Sequence, residues 1–206
     1  MTFEEAINDV PIIAIIRGVK PGEAIEIGDA LIRAGIRVIE TPLNSPDPLA
    51  SITALVKEFG NHALIGGGTV LRTEDVDHLA QIGGRIAISP NTQADVIKRA
   101  VALGLTPMPG FFTPSEAFAA LSAGATHLKL FPAATGGFAH ARAIRAVLPH
   151  DARLYAVGSV RPQEFAAWRE AGAVGFGLGS ELYKPGMTAE DVHARAVQAV
   201  QACRRA

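Results

Sequence analysis

Residues 122–131 read SAGATHLKLF: the tail of an amphipathic segment, a glycine at 124, and then the alternation His127, Lys129, Phe131 against Leu128, Leu130. The alternation is that of a short strand with the lysine on one face and two leucines on the other. The stretch decides the fold because it is one copy of a phrase that recurs along the chain. RAGIRVIE (33–40), EFGNHALIG (58–66), IGGRIAIS (82–89), ALGLTPMPG (102–110) and EAGAVGFGLG (170–179) have the same order of helix end, glycine and apolar strand. The glycines at 35, 60, 84, 104 and 124 fall 20 to 25 residues apart, one βα unit per interval, and each is expected to take the left-handed conformation of a helix C-cap.

Helix starts are written as clearly. Thr113-Pro114-Ser115-Glu116 supplies an N-cap, a proline for the first turn and a capping-box glutamate, and Thr188 with Asp191 and Asp47-Pro48 repeat the signal more weakly. The first long helix has a buried stripe at Ala24, Ile27, Leu31 and Ala34. The expected strands are IIAIIR, RVIET, ALIGGG, RIAIS, TPMPG, HLKLF, RLYAV and VGFGLG, all short and apolar as in a parallel sheet covered on both faces. Eight such units are expected to close into a (β/α)8 TIM barrel spanning 1–206 as a single domain, with residues 2–8 as an extra N-terminal helix plugging its floor. A doubly wound open sheet is the rival; against it, no Gly-x-Gly-x-x-Gly follows the first strand, and polar residues end many strands instead of marking one crevice.

Composition narrows the function. The 206 residues are 49% hydrophobic and carry 19 basic against 20 acidic side chains, a net charge of −1, which provides no electrostatic footprint for nucleic acid or an anionic membrane. The opening MTFEEAIND is acidic, and no run approaches the ~18 apolar residues of a spanning helix, so a cytoplasmic protein is expected. One cysteine, Cys203, permits no internal disulfide, and the six histidines contain no His-x-x-x-His, so no metal is expected.

In such barrels the active site lies at the C-terminal ends of the strands. There the sequence places Arg17, Glu40, Gly67-Gly68-Thr69, Ser89-Pro90-Asn91 and Lys129. For Lys129 two readings stand: an interior lysine paired with a carboxylate, or a nucleophile whose burial yields the neutral amine that attacks a ketone. Glu40 suits a salt bridge or a proton shuttle, and Arg17 a counter-ion to Glu40 or a fork for a substrate carboxylate. Val157-Gly158-Ser159 and Gly177-Leu178-Gly179-Ser180 end the last two strands, where many barrels bind phosphate through backbone N–H groups.

IIAIIRG, VIETPLNSP, IGGGTV, ISPN, HLKLFPA, AVGSV and GLGSELY stand in an order that resembles the class I aldolases of 2-keto-3-deoxy-6-phosphosugar acids over essentially the whole chain. The resemblance implies a homotrimeric enzyme without cofactor. Lys129 would form a Schiff base with the substrate ketone, and Glu40 would move protons through a bound water. Arg17, Thr69 and the Gly67-Gly68 backbone would hold the pyruvyl carboxylate, and Pro90 and Phe131 would wall the pyruvate. Gly158, Ser159, Gly179 and Ser180 would hold the phosphate. Within the family, gluconate-type members typically carry an arginine after the strand-two glutamate and a threonine at the place of Val157. ETPLNSP and Val157 therefore favour a galacto-configured substrate, with the gluconate epimer or 4-hydroxy-2-oxoglutarate as alternatives. Gly158-Ser159 departs from the two glycines common in relatives. A reading from another class is a sugar-phosphate-binding barrel in which Lys129 is only an ionic contact.

Overall fold

The computed structural model describes residues 1–206. The strands are β1 (Ile12–Ile15), β2 (Val38–Pro42), β3 (Leu64–Gly68), β4 (Ile86–Ile88), β5 (Thr106–Met108), β6 (Gly110–Phe111), β7 (His127–Leu130), β8 (Arg153–Val157) and β9 (Gly175–Leu178). Between and around them run α1 (Phe3–Ile7), α2 (Pro21–Arg33), α3 (Pro48–Phe59), α4 (Thr73–Gln81), α5 (Ala94–Ala102), α6 (Pro114–Ser122), α7 (Ala133–Val147), a 3-10 turn (Pro162–Glu164), α8 (Phe165–Glu170) and α9 (Ala189–Arg205). All pairings are parallel, in the order β5-β4-β3-β2-β1-β9-β8-β7-β6.

The two ends of that ladder are halves of the one expected strand TPMPG. Thr106–Met108 pairs with β4, Gly110–Phe111 pairs with β7, and the Lys129 N–H donates to the carbonyl of Pro109 between them at 2.9 Å. Pro109, which carries no N–H to donate to either side, sits where the pairing passes from β4 to β7. The sheet thereby returns on itself, as a barrel requires.

Side chains alternate between two cores. Those pointing outward from the strands, such as Ile12, Ile39, Leu128, Leu154 and Phe176, meet the helices in the larger cluster. Those pointing inward form a compact cluster of Ile13, Val38, Leu64, Ile86, Ile88, Met108, Tyr155 and Val157, to which α1 adds Phe3, Ala6 and Ile7. The expected N-terminal plug is therefore present, capped by Thr2 with Glu5 in a reciprocal capping box. His127 belongs to this floor: Phe3 lies over its ring at 4.4 Å between centroids, the Tyr155 hydroxyl stands 3.2 Å from Nδ1, and Glu4 lies 3.3 Å from Nε2.

Local signals fared unevenly. Thr113 and Thr188 cap α6 and α9 as expected, whereas Asp47 sits in the left-handed region and makes no side-chain cap. Gly35, Gly104 and Gly124 take positive φ, but Gly60 closes α3 in a right-handed conformation, and Gly83, not Gly84, turns left-handed after α4.

Candidate active site

The C-terminal ends of the strands enclose a cavity of about 260 Å³ with Lys129 and Glu40 in its wall. Strand parity brings Lys129 there: it follows His127 on the inward face of β7, and β7 is buried along its whole length. The lysine is 7% exposed, and its Nζ stands 4.8 Å from the centroid of the Phe131 ring. Glu40, inward on β2 beyond Val38, is 2% exposed, and its Oε2 is buried without a hydrogen-bond partner. The carboxylate has room only because the facing residue is Gly68: a Cβ there would lie 1.8 Å from Oε2.

Burial dominates the electrostatics. Desolvation pushes the Glu40 carboxyl up to about 7 against the opposing pull of the Lys129 and Arg17 charges. The same burial lowers the Lys129 ammonium, with Glu40 opposing and Arg17 assisting. No ion pair within 4 Å joins the two. They influence each other through a low-dielectric gap, and burial favours the neutral form of both.

The rim is built from strand-end turns. Arg17 stands two residues beyond β1 in the turn to α2, exposed and lining the cavity; it forms no ion pair with Glu40 and instead donates to Asn44 Oδ1. Thr69, Pro90, Phe131, Val157, Gly158, Ser159, Gly179 and Ser180 also line the cavity. Thr69 and Ser159 are two of only three non-glycine residues with positive φ, at 56° and 55°, a conformation that disfavours side chains and concentrates at working sites. Gly158, at φ 101°, turns the β8 end so that a Cβ would lie 3.2 Å from Phe131. The N–H groups of Ser159 and Ser180 find no backbone acceptor in the chain.

Gly67 and Gly68 are not among the residues lining the cavity. A Cβ on Gly67 would meet Leu79 of α4 at 2.8 Å, and the space a Gly68 side chain would fill is taken by Glu40; the carboxylate role expected of the pair belongs to their backbone, which these side-chain directions leave standing. The cavity also includes Gly177, from the strand end already singled out, and Ile15, Val160 and Glu181, which were not anticipated. Strand parity with Ile13 and Gly179 identifies Ile15 and Gly177. Glu181, one residue past the Gly-Ser turn, has no sequence signal. No three His, Cys, Asp or Glu side chains gather as a metal site.

A parallel barrel with a buried lysine and a buried carboxyl in one mouth, beneath a rim of strand-end glycines and hydroxyls, defines a class of barrel enzyme acting on small polar substrates. The chain belongs to the KDPG and KHG aldolase family, whose pattern matches residues 3–201. It is 52% identical over 192 residues to the "Probable 2-dehydro-3-deoxy-6-phosphogalactonate aldolase" of Rhizobium meliloti (strain 1021), covering 93% of this chain and 91% of that one. It is 47% identical to the "2-dehydro-3-deoxy-6-phosphogalactonate aldolase" of Escherichia coli (strain K12), covering 96% of both. Among solved structures, one titled "Native KDPGal structure" superposes with a TM-score of 0.94 at 46% identity, covering 95% of both chains.

Proposed function

We propose that the chain is a class I aldolase that reversibly cleaves 2-dehydro-3-deoxy-6-phosphogalactonate to pyruvate and glyceraldehyde 3-phosphate, a step of galactonate catabolism. The observation that carries this reading is the buried, unpaired Lys129 beside a buried Glu40 raised to about 7 in a single cavity. The names of the full-length relatives support the substrate.

The neutral Lys129 amine adds to the C2 ketone, and loss of water leaves an iminium whose positive nitrogen is the electron sink. Glu40, directly or through a water, takes the C4 hydroxyl proton. The C3–C4 bonding pair then flows toward the nitrogen, glyceraldehyde 3-phosphate departs, and an enamine remains. Glu40 returns its proton to C3, and hydrolysis of the imine frees pyruvate and Lys129. Arg17 and Thr69 hold the C1 carboxylate, and Pro90 and Phe131 wall the pyruvyl methyl. The unpaired N–H groups at Ser159 and Ser180, on the turns made by Gly158 and Gly179, receive the phosphate. Val157 presents methyl groups where a hydroxyl would read C4, which supports the galacto epimer. Residues 1–206 act as one catalytic domain in a cytoplasmic homotrimer; the continuous inner and outer cores support the first statement. No helix is long and apolar enough to cross a membrane.

Incubation with pyruvate and sodium borohydride tests the chemistry: a reduced pyruvyl adduct mapped to Lys129 is expected. Pyruvate binding without an adduct would leave a non-catalytic sugar-phosphate-binding barrel. Cleavage rates on the two phosphorylated epimers test the substrate, and Val157→Thr is expected to shift preference toward the gluconate epimer.

A further inference from the structure

The turn that carries Arg17 is tied at three points to β2 and the loop that follows it. The Ile16 N–H donates to the Glu40 carbonyl at 3.0 Å, the Gly18 N–H donates to Ser45 Oγ at 2.9 Å, and between them the Arg17 guanidinium donates to Asn44 Oδ1. The loop is itself fixed on both sides of Asn44: the Leu43 N–H donates to the Gly68 carbonyl at 2.8 Å and the Ser45 N–H to the Pro42 carbonyl at 2.9 Å. Ser45 is buried, so its hydroxyl is a firm anchor for the Gly18 amide. Asn44 is thus a short side chain on an immobilised backbone, aimed at the one long cationic side chain of the cavity rim.

Resting on the aldolase reading above, we propose that Asn44 is the positioning residue for Arg17, holding its guanidinium over the carboxylate subsite without neutralising it. Three physical points converge. An exposed arginine has several freely rotating bonds, and a single fixed acceptor removes much of the ordering cost before substrate arrives. Arginine has no acceptor atom, so the contact must use the asparagine carbonyl; the amide orientation is dictated by the partner. The acceptor is neutral. An aspartate in this place would order the guanidinium equally well but compete with the substrate carboxylate for its charge and its paired N–H groups. Arg17 has no carboxylate within ion-pairing distance anywhere in the fold, so its full charge is left for the ligand. Asn44 does not line the cavity and acts through Arg17 alone.

The test is steady-state kinetics of the intact protein in the condensation direction, with pyruvate and glyceraldehyde 3-phosphate varied separately. Asn44→Ala is expected to raise KM for pyruvate roughly 3- to 10-fold, the worth of one partly solvated charge-assisted hydrogen bond, with kcat and KM for the aldehyde held within about twofold. Asn44→Asp, which keeps the size and the acceptor, is expected to raise KM for pyruvate at least as much. In an Arg17→Lys background, Asn44→Ala is expected to add nothing, because the interaction it removes is already gone. The proposal is overturned if neither variant moves KM for pyruvate, if both substrates' KM values rise together, or if the Asn44→Ala effect is undiminished in the Arg17→Lys background. A wild-type chain that neither condenses the substrates nor traps pyruvate would remove the aldolase reading and this inference with it. An active wild type with unresponsive Asn44 variants removes the inference alone.

Discussion

Glu40 shows what burying one carboxyl costs. Its folded pKa of about 7 lies above the ordinary value of 4.5. The native state therefore binds a proton more tightly than the unfolded chain, and stability declines as pH rises from about 4.5 through about 7. The full penalty above that window is on the order of 3 kcal/mol. Glu40→Gln removes the titration, so its melting temperature is expected to gain on the wild type from pH 4.5 to 8, while kcat falls roughly 10²- to 10⁴-fold. Thermal melts across that range decide the point; a constant difference between the two proteins would mean the carboxyl is not raised. Residues of this kind were legible because parity and residue type agree: a charged side chain repeated on the inward face of a strand is conspicuous. Glu181 was not legible, because a carboxylate following a Gly-Ser turn is indistinguishable in sequence from any surface acid.

Among the elements, β3 has the least freedom. Its glycines serve three different neighbours: Gly66 clears the Ile86 backbone, Gly67 clears Leu79, and Gly68 clears the Glu40 carboxylate. Gly68→Ala is expected to displace Glu40 and reduce activity by a factor comparable to its loss, roughly 10²-fold or more, with the protein still folded by circular dichroism. Retention of full activity would show that the carboxylate has an alternative position of equal use. A GGG run read from sequence says only that something approaches closely; which atoms approach depends on register with β2 and β4, which is a property of the assembled sheet. The same holds for TPMPG. Its two prolines signal an irregular strand, but the change of partner at Pro109 follows from closure of the ring, which no local pattern encodes. Gly60 and Gly84 likewise looked like Gly35 and Gly104, yet the chain turned within other residues there.

At the scale of the whole molecule, helix-glycine-strand periodicity was sufficient to identify the barrel, because each unit can bury its apolar strand and helix stripe only against copies of itself. The plug α1 was legible from its position ahead of the first strand, but its partners were not, since His127 and Tyr155 lie more than a hundred residues away. Phe3→Ala removes the ring that covers His127 and is expected to destabilise the fold by about 3 kcal/mol, lowering the melting temperature by roughly 6–12 °C. An unchanged melting temperature would mean that α1 only lies against the floor.

That sealed floor also dictates traffic. With α1 closing one end, the barrel is a blind well, and everything enters and leaves past the same rim. In the proposed mechanism the three-carbon acid is held at the bottom by the lysine, and the phosphorylated aldehyde sits between it and solvent. The aldehyde must therefore leave first and the acid last. In the cleavage direction pyruvate is expected to inhibit competitively with substrate, and glyceraldehyde 3-phosphate noncompetitively. The reverse pattern in product-inhibition plots would require a second exit through the floor.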